Sequence, residues 1–219
     1  MRGLYAIVDV DTLQARGFEP VAFAEAVLSA RPAALQLRAK SSPPRETLAW
    51  LRALAPLCRR AGVPLVANDR PDLAILAGCS TVHVGQSDMP VERVRRIAPG
   101  LEVGVSTHDL AQLAAAVDAR PAYVAFGPVF ETSSKKDHEP VVGTAGLRRA
   151  YALARAGGVP LVAIGGITRA RAATLVELVD AVAVIAELVP AAGESLDVAA
   201  ERAHALQGLF VEASVTHAS

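Results

Sequence analysis

The chain has 219 residues, a length that suits one domain with a substantial core; α/β barrels commonly occupy about 200–250 residues as one unit. Hydrophobic residues make up 52% and charged residues 20%, a globular composition with no stretch approaching a transmembrane span. Lys plus Arg equals Asp plus Glu at 22 each, so no global basic field exists to recruit nucleic acid or an anionic membrane, and any anion selectivity must be local. The two cysteines, Cys58 and Cys79, build no disulfide framework, and the N-terminal residues carry no signal-peptide pattern. A cytoplasmic enzyme is the expectation.

Along the chain, short β-branched runs alternate with longer segments rich in Ala, Leu and Arg. Strands are expected at Leu4–Asp9, Ala34–Arg38, Pro64–Asn68, Thr81–Val84, Glu102–Ser106, Tyr123–Phe126, Leu161–Ile164 and Ala181–Ile185. Helices are expected near Pro20–Ala30, Pro44–Ala61, Arg70–Ala77, Val91–Ala98, Leu110–Val117, Gly146–Arg155, Arg169–Val179 and Leu196–Leu209. Such alternation demands a parallel sheet, because each strand must return to the same end through a crossover. Eight repeats close most simply into a single (β/α)₈ TIM barrel over residues 1–210, with a doubly wound open sheet as the alternative. The stretch from Val211 to Ser219 shows no periodicity and reads as a flexible tail.

In a barrel of this kind the chemistry sits at the C-terminal ends of the strands. Strand side chains alternate faces, so Leu35 and Leu37 point one way while Gln36, Arg38 and Lys40 point the other, which aims an amide and two cations at one mouth. The third strand ends in Asn68-Asp69-Arg70, and the fourth runs through His83 into Gly85-Gln86-Ser87-Asp88. Asp69 and Asp88 suit Mg²⁺, a hard ion that takes oxygen ligands, and each equally suits a helix cap. His83, between Val82 and Val84, reads as a hydrogen-bonded core histidine. Ser106-Thr107-His108-Asp109 ends the fifth strand and caps the next helix, with Ser106 able to face the mouth. Gly165-Gly166 follows the seventh strand, either as a tight turn or as a backbone that a phosphate can approach.

Gly127 to Gly143 forms a long polar loop after the sixth strand. Connections in compact domains are usually a few residues long, so a loop of this length suits a lid or binding loop. Thr132, Ser133 and Ser134 beside Lys135 and Lys136 offer hydroxyl and ammonium donors to an anion.

These stretches together resemble the thiamine phosphate synthase family over roughly residues 3 to 188. The resemblance rests on Gly3-Leu4-Tyr5, Gln36-Leu37-Arg38-Ala39-Lys40, Asn68-Asp69-Arg70, Val82 to Pro90, Gly104-Val105-Ser106, Gly127-Pro128-Val129-Phe130 with Thr132 to Lys136, and Ala163 to Ile167. It implies a (β/α)₈ barrel that joins a hydroxymethylpyrimidine diphosphate to a thiazole phosphate with Mg²⁺, releasing thiamine phosphate and diphosphate. By position it implies that Gln36, Arg38, Lys40, Asn68 and Lys135 hold the pyrimidine diphosphate, with Arg38, Lys40 and Lys135 stabilising the leaving group. Asp69 and Asp88 would bind Mg²⁺, and Ser106 would lie against the pyrimidine. Thr132 and Ser134, with the backbone at Gly165, Ile185 and Ala186, would hold the thiazole phosphate.

The chain departs from the family pattern at Ala39, Ser134, Cys79-Ser80-Thr81 and Ala186-Glu187. Loss of a hydroxyl at Ala186 and the charge at Glu187 both bear on the thiazole phosphate. A related thiazole tautomerase shares the barrel but needs a histidine where this chain has Pro128, and a non-catalytic phosphate-ligand binder is the alternative of another class. Nothing in the sequence fixes the oligomeric state.

Overall fold

The β-branched runs form eight strands: β1 (Gly3–Asp9), β2 (Ala34–Arg38), β3 (Leu65–Asn68), β4 (Thr81–Val84), β5 (Glu102–Thr107), β6 (Tyr123–Phe126), β7 (Leu161–Ile164) and β8 (Ala181–Val184). All pair in parallel and in sequence order, and β1 returns to β8 through Gly3 opposite Ala181, so the sheet closes. The computed structural model describes residues 1–132 and 139–216. The helices among them are α1 (Val10–Ala15), α2 (Pro20–Leu28), α3 (Pro44–Ala61), α4 (Pro71–Ala77), α5 (Val91–Ile97), α6 (Leu110–Asp118), α7 (Gly143–Ala156), α8 (Arg169–Ala173) and α9 (Asp197–Thr216). The fold is the closed parallel TIM barrel expected from the alternation.

Closure leaves two apolar compartments. Outward strand residues such as Leu4, Ala6, Val8, Leu35 and Leu37 pack beneath the helices, whereas Tyr5, Ile7, Ala34, Val66, Tyr123, Ala125, Val162, Ala181 and Ala183 form a separate buried cluster inside the barrel. Alternation alone divides the two sets. Helix α3 illustrates the outer layer: Pro44 occupies its first turn, Leu51, Leu54, Ala55 and Cys58 recur at helical spacing on the buried face, and Gly62 ends it at φ 70°. Burying each such leucine contributes about 1.5–3 kcal/mol.

Three elements differ locally from the sequence expectation. Helix α1 was not expected; it is six residues long, too short for periodicity, and its cap is the side chain of Asp9. Helix α8 stops at Ala173, because Thr174, Leu175 and Leu178 donate three residues back, to Arg171, Ala172 and Leu175, and the chain continues as tightened turns. The stretch from Val211, read as aperiodic, remains helical through Thr216, with Val211 exposed.

Inside the barrel, Gly104 of β5 faces Tyr123 of β6 in register. A Cβ at Gly104 would come 2.0 Å from Tyr123 Cζ, so the glycine is what admits the buried phenol. Gly104→Ala is expected to lower unfolding free energy by about 1–3 kcal/mol, the usual range for overpacking. A urea midpoint unchanged from wild type would show that the ring moves aside without cost.

Candidate active site

At the C-terminal end of the barrel, the inward positions of β1 to β5 carry polar side chains. Asp9 lies opposite Arg38 in the β1–β2 register, and Arg38 Nη1 donates to Asp9 Oδ2. The other oxygen of Asp9 accepts from Thr12 N at 3.0 Å and Thr12 Oγ1 at 2.6 Å. One buried carboxylate therefore caps α1 and fixes a guanidinium whose side chain is 14% exposed. Asp9 was not among the residues singled out from the sequence; its position at the end of an inward-facing strand row was the available signal.

Lys40 Nζ lies 3.3 Å from Asp69 Oδ2, and Asp88 adjoins the same carboxyl. Burial pushes the Asp69 carboxyl above its ordinary value; Lys40 opposes the shift and Asp88 reinforces it. Asp69 is a non-glycine residue at φ 62°, held there as its N–H donates to His83 O at 2.8 Å. The capping alternative fails for both acids. Helix α4 begins after Arg70 and α5 after Pro90, neither with a side-chain cap, while Asp88 Oδ2 accepts from Gly85 N at 2.7 Å.

Asn68 ends β3 half-buried beside this group. Gln36 is buried on the same inward row of β2 as Arg38, and its Nε2 is the buried side-chain polar atom without a hydrogen-bond partner among the described residues. Ser106 is buried at the end of β5: its Oγ lies 2.9 Å from His83 Nε2, and its carbonyl accepts from Gln86 Nε2 at 2.5 Å. His83 is indeed a hydrogen-bonded interior histidine. Its Nδ1 lies 3.0 Å from Tyr123 Oη, which lies 2.7 Å from Tyr5 Oη.

The other side of the mouth, from β6 to β8, holds a cavity of about 460 Å³. Thr132, Gly165, Ile185 and Ala186 all line it, so four of the residues expected to act together meet there. Ser134 and Lys135 lie outside the described residues. The glycine turn after β7 also serves packing: Gly165 has φ 100°, and a Cβ there would come 2.5 Å from Pro128 Cβ. Val129 N and Phe130 N donate to Ile164 O and Gly165 O at 2.8 and 3.1 Å, which pins the start of the long loop against this turn.

Sequence reasoning did not assign His108 or Arg171 to this cavity, and both line it. His108 Nδ1 donates to Gly127 O at 2.7 Å; a carbonyl only accepts, so this nitrogen carries the proton. Arg171 Nη1 donates to Gly166 O at 2.6 Å, with its guanidinium 4.6 Å from the Phe130 ring centroid. Glu187 lines the cavity and accepts from Arg169 N at 3.0 Å. Cys58 and Cys79 are buried away from nucleophilic use, their thiols pushed by burial up to about 12 and about 11. Among the described residues, no helix is long and apolar enough to cross a membrane.

The closed barrel, with charged side chains at the ends of β1 to β4 and a cavity beside them at β6 to β8, defines a (β/α)₈ enzyme of small-molecule type. A thiamine monophosphate synthase family model matches residues 4–188. The thiamine-phosphate synthase of Chloroflexus aurantiacus is 36% identical over 210 residues, covering 95% of this chain and 94% of that one. That of Koribacter versatilis is 43% identical over 195 residues, covering 84% and 88%. The solved thiamine phosphate pyrophosphorylase from Pyrococcus furiosus superposes with a TM-score of 0.82 at 29% identity over 96% of each chain. The chain belongs to the thiamine monophosphate synthase family and is a transferase of thiamine biosynthesis.

Asp9→Asn retains an acceptor for the α1 cap but removes the charge opposite Arg38. It is expected to cost about 1.5–3 kcal/mol of stability, the range for a hydrogen bond to a charged group. Urea unfolding of the variant measures this, and an unchanged midpoint would show that Arg38 does not depend on Asp9.

Proposed function

We propose that the chain couples 4-amino-2-methyl-5-hydroxymethylpyrimidine diphosphate to a thiazole phosphate, giving thiamine phosphate and diphosphate, or to a thiazole carboxylate phosphate, which gives the same two products with loss of its carboxyl group as carbon dioxide. The observation that carries this reading is the division of the mouth. Gln36, Arg38, Lys40, Asn68, Asp69, Asp88 and Ser106 gather at the ends of β2 to β5, and Thr132, Gly165, Ile185 and Ala186 border a separate cavity. A polyanion and a second, smaller ligand can thus lie side by side. The catalytic unit is the (β/α)₈ barrel over residues 1–210, and the cytoplasm is its compartment.

The donor set fits Mg²⁺. Asp69 and Asp88 are adjoining carboxyl groups, a pairing that like-charge repulsion disfavours unless a cation is near, and Lys40 supplies one positive charge. Mg²⁺ is usually bound by one or two carboxylates and keeps several waters, so substrate oxygens and water would complete its shell beside Asp69 and Asp88. Bound there, Mg²⁺ would neutralise charge on the diphosphate.

Arg38, fixed by Asp9, presents its remaining N–H groups to the diphosphate; Lys40 and Lys135 add two ammonium groups. Each charge pair at about 4 Å contributes up to about 4 kcal/mol at an effective dielectric near 20, before desolvation. This favours departure of the diphosphate as its bond to the pyrimidine methylene breaks. The buried amide of Gln36 and the hydroxyl of Ser106 orient the ring, whose amino group delocalises the developing cation. The thiazole nitrogen then captures the methylene with its lone pair. Since no proton must leave that nitrogen, no general base is required, and catalysis rests on positioning and electrostatics. Thr132, Ser134 and the backbone at Gly165, Ile185 and Ala186 hold the thiazole phosphate.

Purified protein given both substrates and Mg²⁺ is expected to form thiamine phosphate and diphosphate in equal amounts. Isomerisation of a thiazole carboxylate phosphate without coupling would reject this reading in favour of the tautomerase, and tight binding with neither reaction would leave a non-catalytic barrel. Chelator is expected to abolish turnover and added Mg²⁺ to restore it; full activity in metal-free buffer would remove Asp69 and Asp88 from metal binding. Lys135→Ala is expected to lower turnover with the diphosphate substrate at least tenfold, and a variant within twofold of wild type would exclude Lys135 from the site.

A further inference from the structure

Four side chains form a continuous hydrogen-bonded row through the barrel interior: Tyr5 Oη to Tyr123 Oη at 2.7 Å, Tyr123 Oη to His83 Nδ1 at 3.0 Å, and His83 Nε2 to Ser106 Oγ at 2.9 Å. All four are buried, with Tyr5 and Tyr123 2% and 1% exposed. The rings are fitted to one another. His83 stacks on Tyr123 at 5.6 Å and 12°, Tyr5 tilts against Tyr123 at 5.6 Å and 59°, and Gly104 leaves the space that Tyr123 fills.

Such a row can carry its protons in two directions, and they are not equivalent. If Ser106 donated to His83, then Nδ1–H would donate to Tyr123 and Tyr123 to Tyr5. The Tyr5 proton would then lack an acceptor, since Tyr123 is the hydrogen-bond partner of this hydroxyl among the described residues. An orphaned buried donor costs about 1–3 kcal/mol, a bias of about five- to 150-fold. In the opposite direction Tyr5 donates to Tyr123, Tyr123 to Nδ1, and Nε2–H to Ser106, so every interior proton is used. Burial raises the affinity of both phenols for their protons, which keeps them as O–H donors.

We propose that Tyr5, Tyr123 and His83 are positioning residues that hold His83 as its Nε2–H tautomer and so commit the Ser106 hydroxyl to donate a hydrogen bond into the mouth, toward an acceptor nitrogen of the pyrimidine substrate. This rests on the reading that Ser106 touches that substrate. The links are not equally important. With Tyr5→Phe, Tyr123 becomes the end of the row and still prefers to donate to Nδ1, so the direction survives. With Tyr123→Phe, Nδ1 loses its donor and Ser106 is no longer committed.

Two measurements test this. Nitrogen-15 NMR of the full chain, with His83 assigned by difference against His83→Gln, is expected to show the neutral Nε2–H tautomer; the Nδ1–H form would overturn the proposal without any variant needing to be active. In steady-state kinetics with the pyrimidine diphosphate, Ser106→Ala and Tyr123→Phe are each expected to lower kcat/KM at least tenfold, Tyr5→Phe less than threefold. The Ser106→Ala/Tyr123→Phe pair should be within twofold of Ser106→Ala alone, because the tyrosine acts through the serine. Additive losses, or Tyr5→Phe as damaging as Tyr123→Phe, would reduce the row to a packing role. Wild-type kinetics in Ser106→Ala would instead remove the substrate contact, and the proposal with it.

Discussion

Alternation of side chains along eight parallel strands is the constraint on which everything else depends. Because the sheet closes from β8 onto β1, every inward residue shares one interior, and its height along the strand decides what it does. Lower positions, such as Tyr5, Ala34, Val66 and Ala181, are filled by packing. One or two steps further along the same rows come Asp9, Gln36, Arg38, Asn68 and Ser106. The polar mouth is thus the continuation of the core by the same period, and no separate binding module is required.

Charge at the mouth is unevenly distributed. On the β1–β4 side, carboxylates and cations are arranged in pairs, Asp9 with Arg38 and Asp69 with Lys40. Arg38, paired with the buried Asp9, is held in place before a ligand arrives, which lowers the ordering cost of binding, whereas Lys40 is half exposed. On the β6–β8 side the cavity is bordered by backbone and apolar residues together with Thr132, His108, Arg171 and the carboxylates of Glu131, Glu139 and Glu187, and two of these charged side chains are engaged locally: Arg171 by Gly166 O and Phe130, Glu187 by Arg169 N. Glu187 brings a carboxylate to the side proposed for the thiazole phosphate, so recognition there must rely on N–H and hydroxyl donors more than on net charge.

The barrel was legible because strand and helix periods differ and repeat; β2, β4, β6 and β7 fall at the residues their apolar runs predict. Arg38 and Gln36 were legible from parity alone, and the family resemblance assigned them to one subsite. Asp9 was not, because its role depends on the cross-strand register with Arg38 and on a six-residue helix too short to leave a pattern. Tyr5 and Tyr123 were hidden as ordinary aromatic strand residues, 118 positions apart, that meet only when the sheet closes. His83 could be read as an interior histidine, but its partners could not. The extent of α8 was overread since propensity does not report the switch to bonds three residues back that ends it.

In the proposed function the mouth holds two anion subsites with different chemistry, one of them built around Asp69, Asp88, Arg38 and Lys40. The most direct measurement is a crystal structure of the protein with Mg²⁺ and inorganic diphosphate. The expected result is a metal ion ligated by Asp69 and Asp88, with diphosphate oxygens on the metal and within hydrogen-bond reach of Arg38 and Lys40. Diphosphate found instead in the cavity beside Gly165 and Ile185, with no metal between the two aspartates, would contradict it.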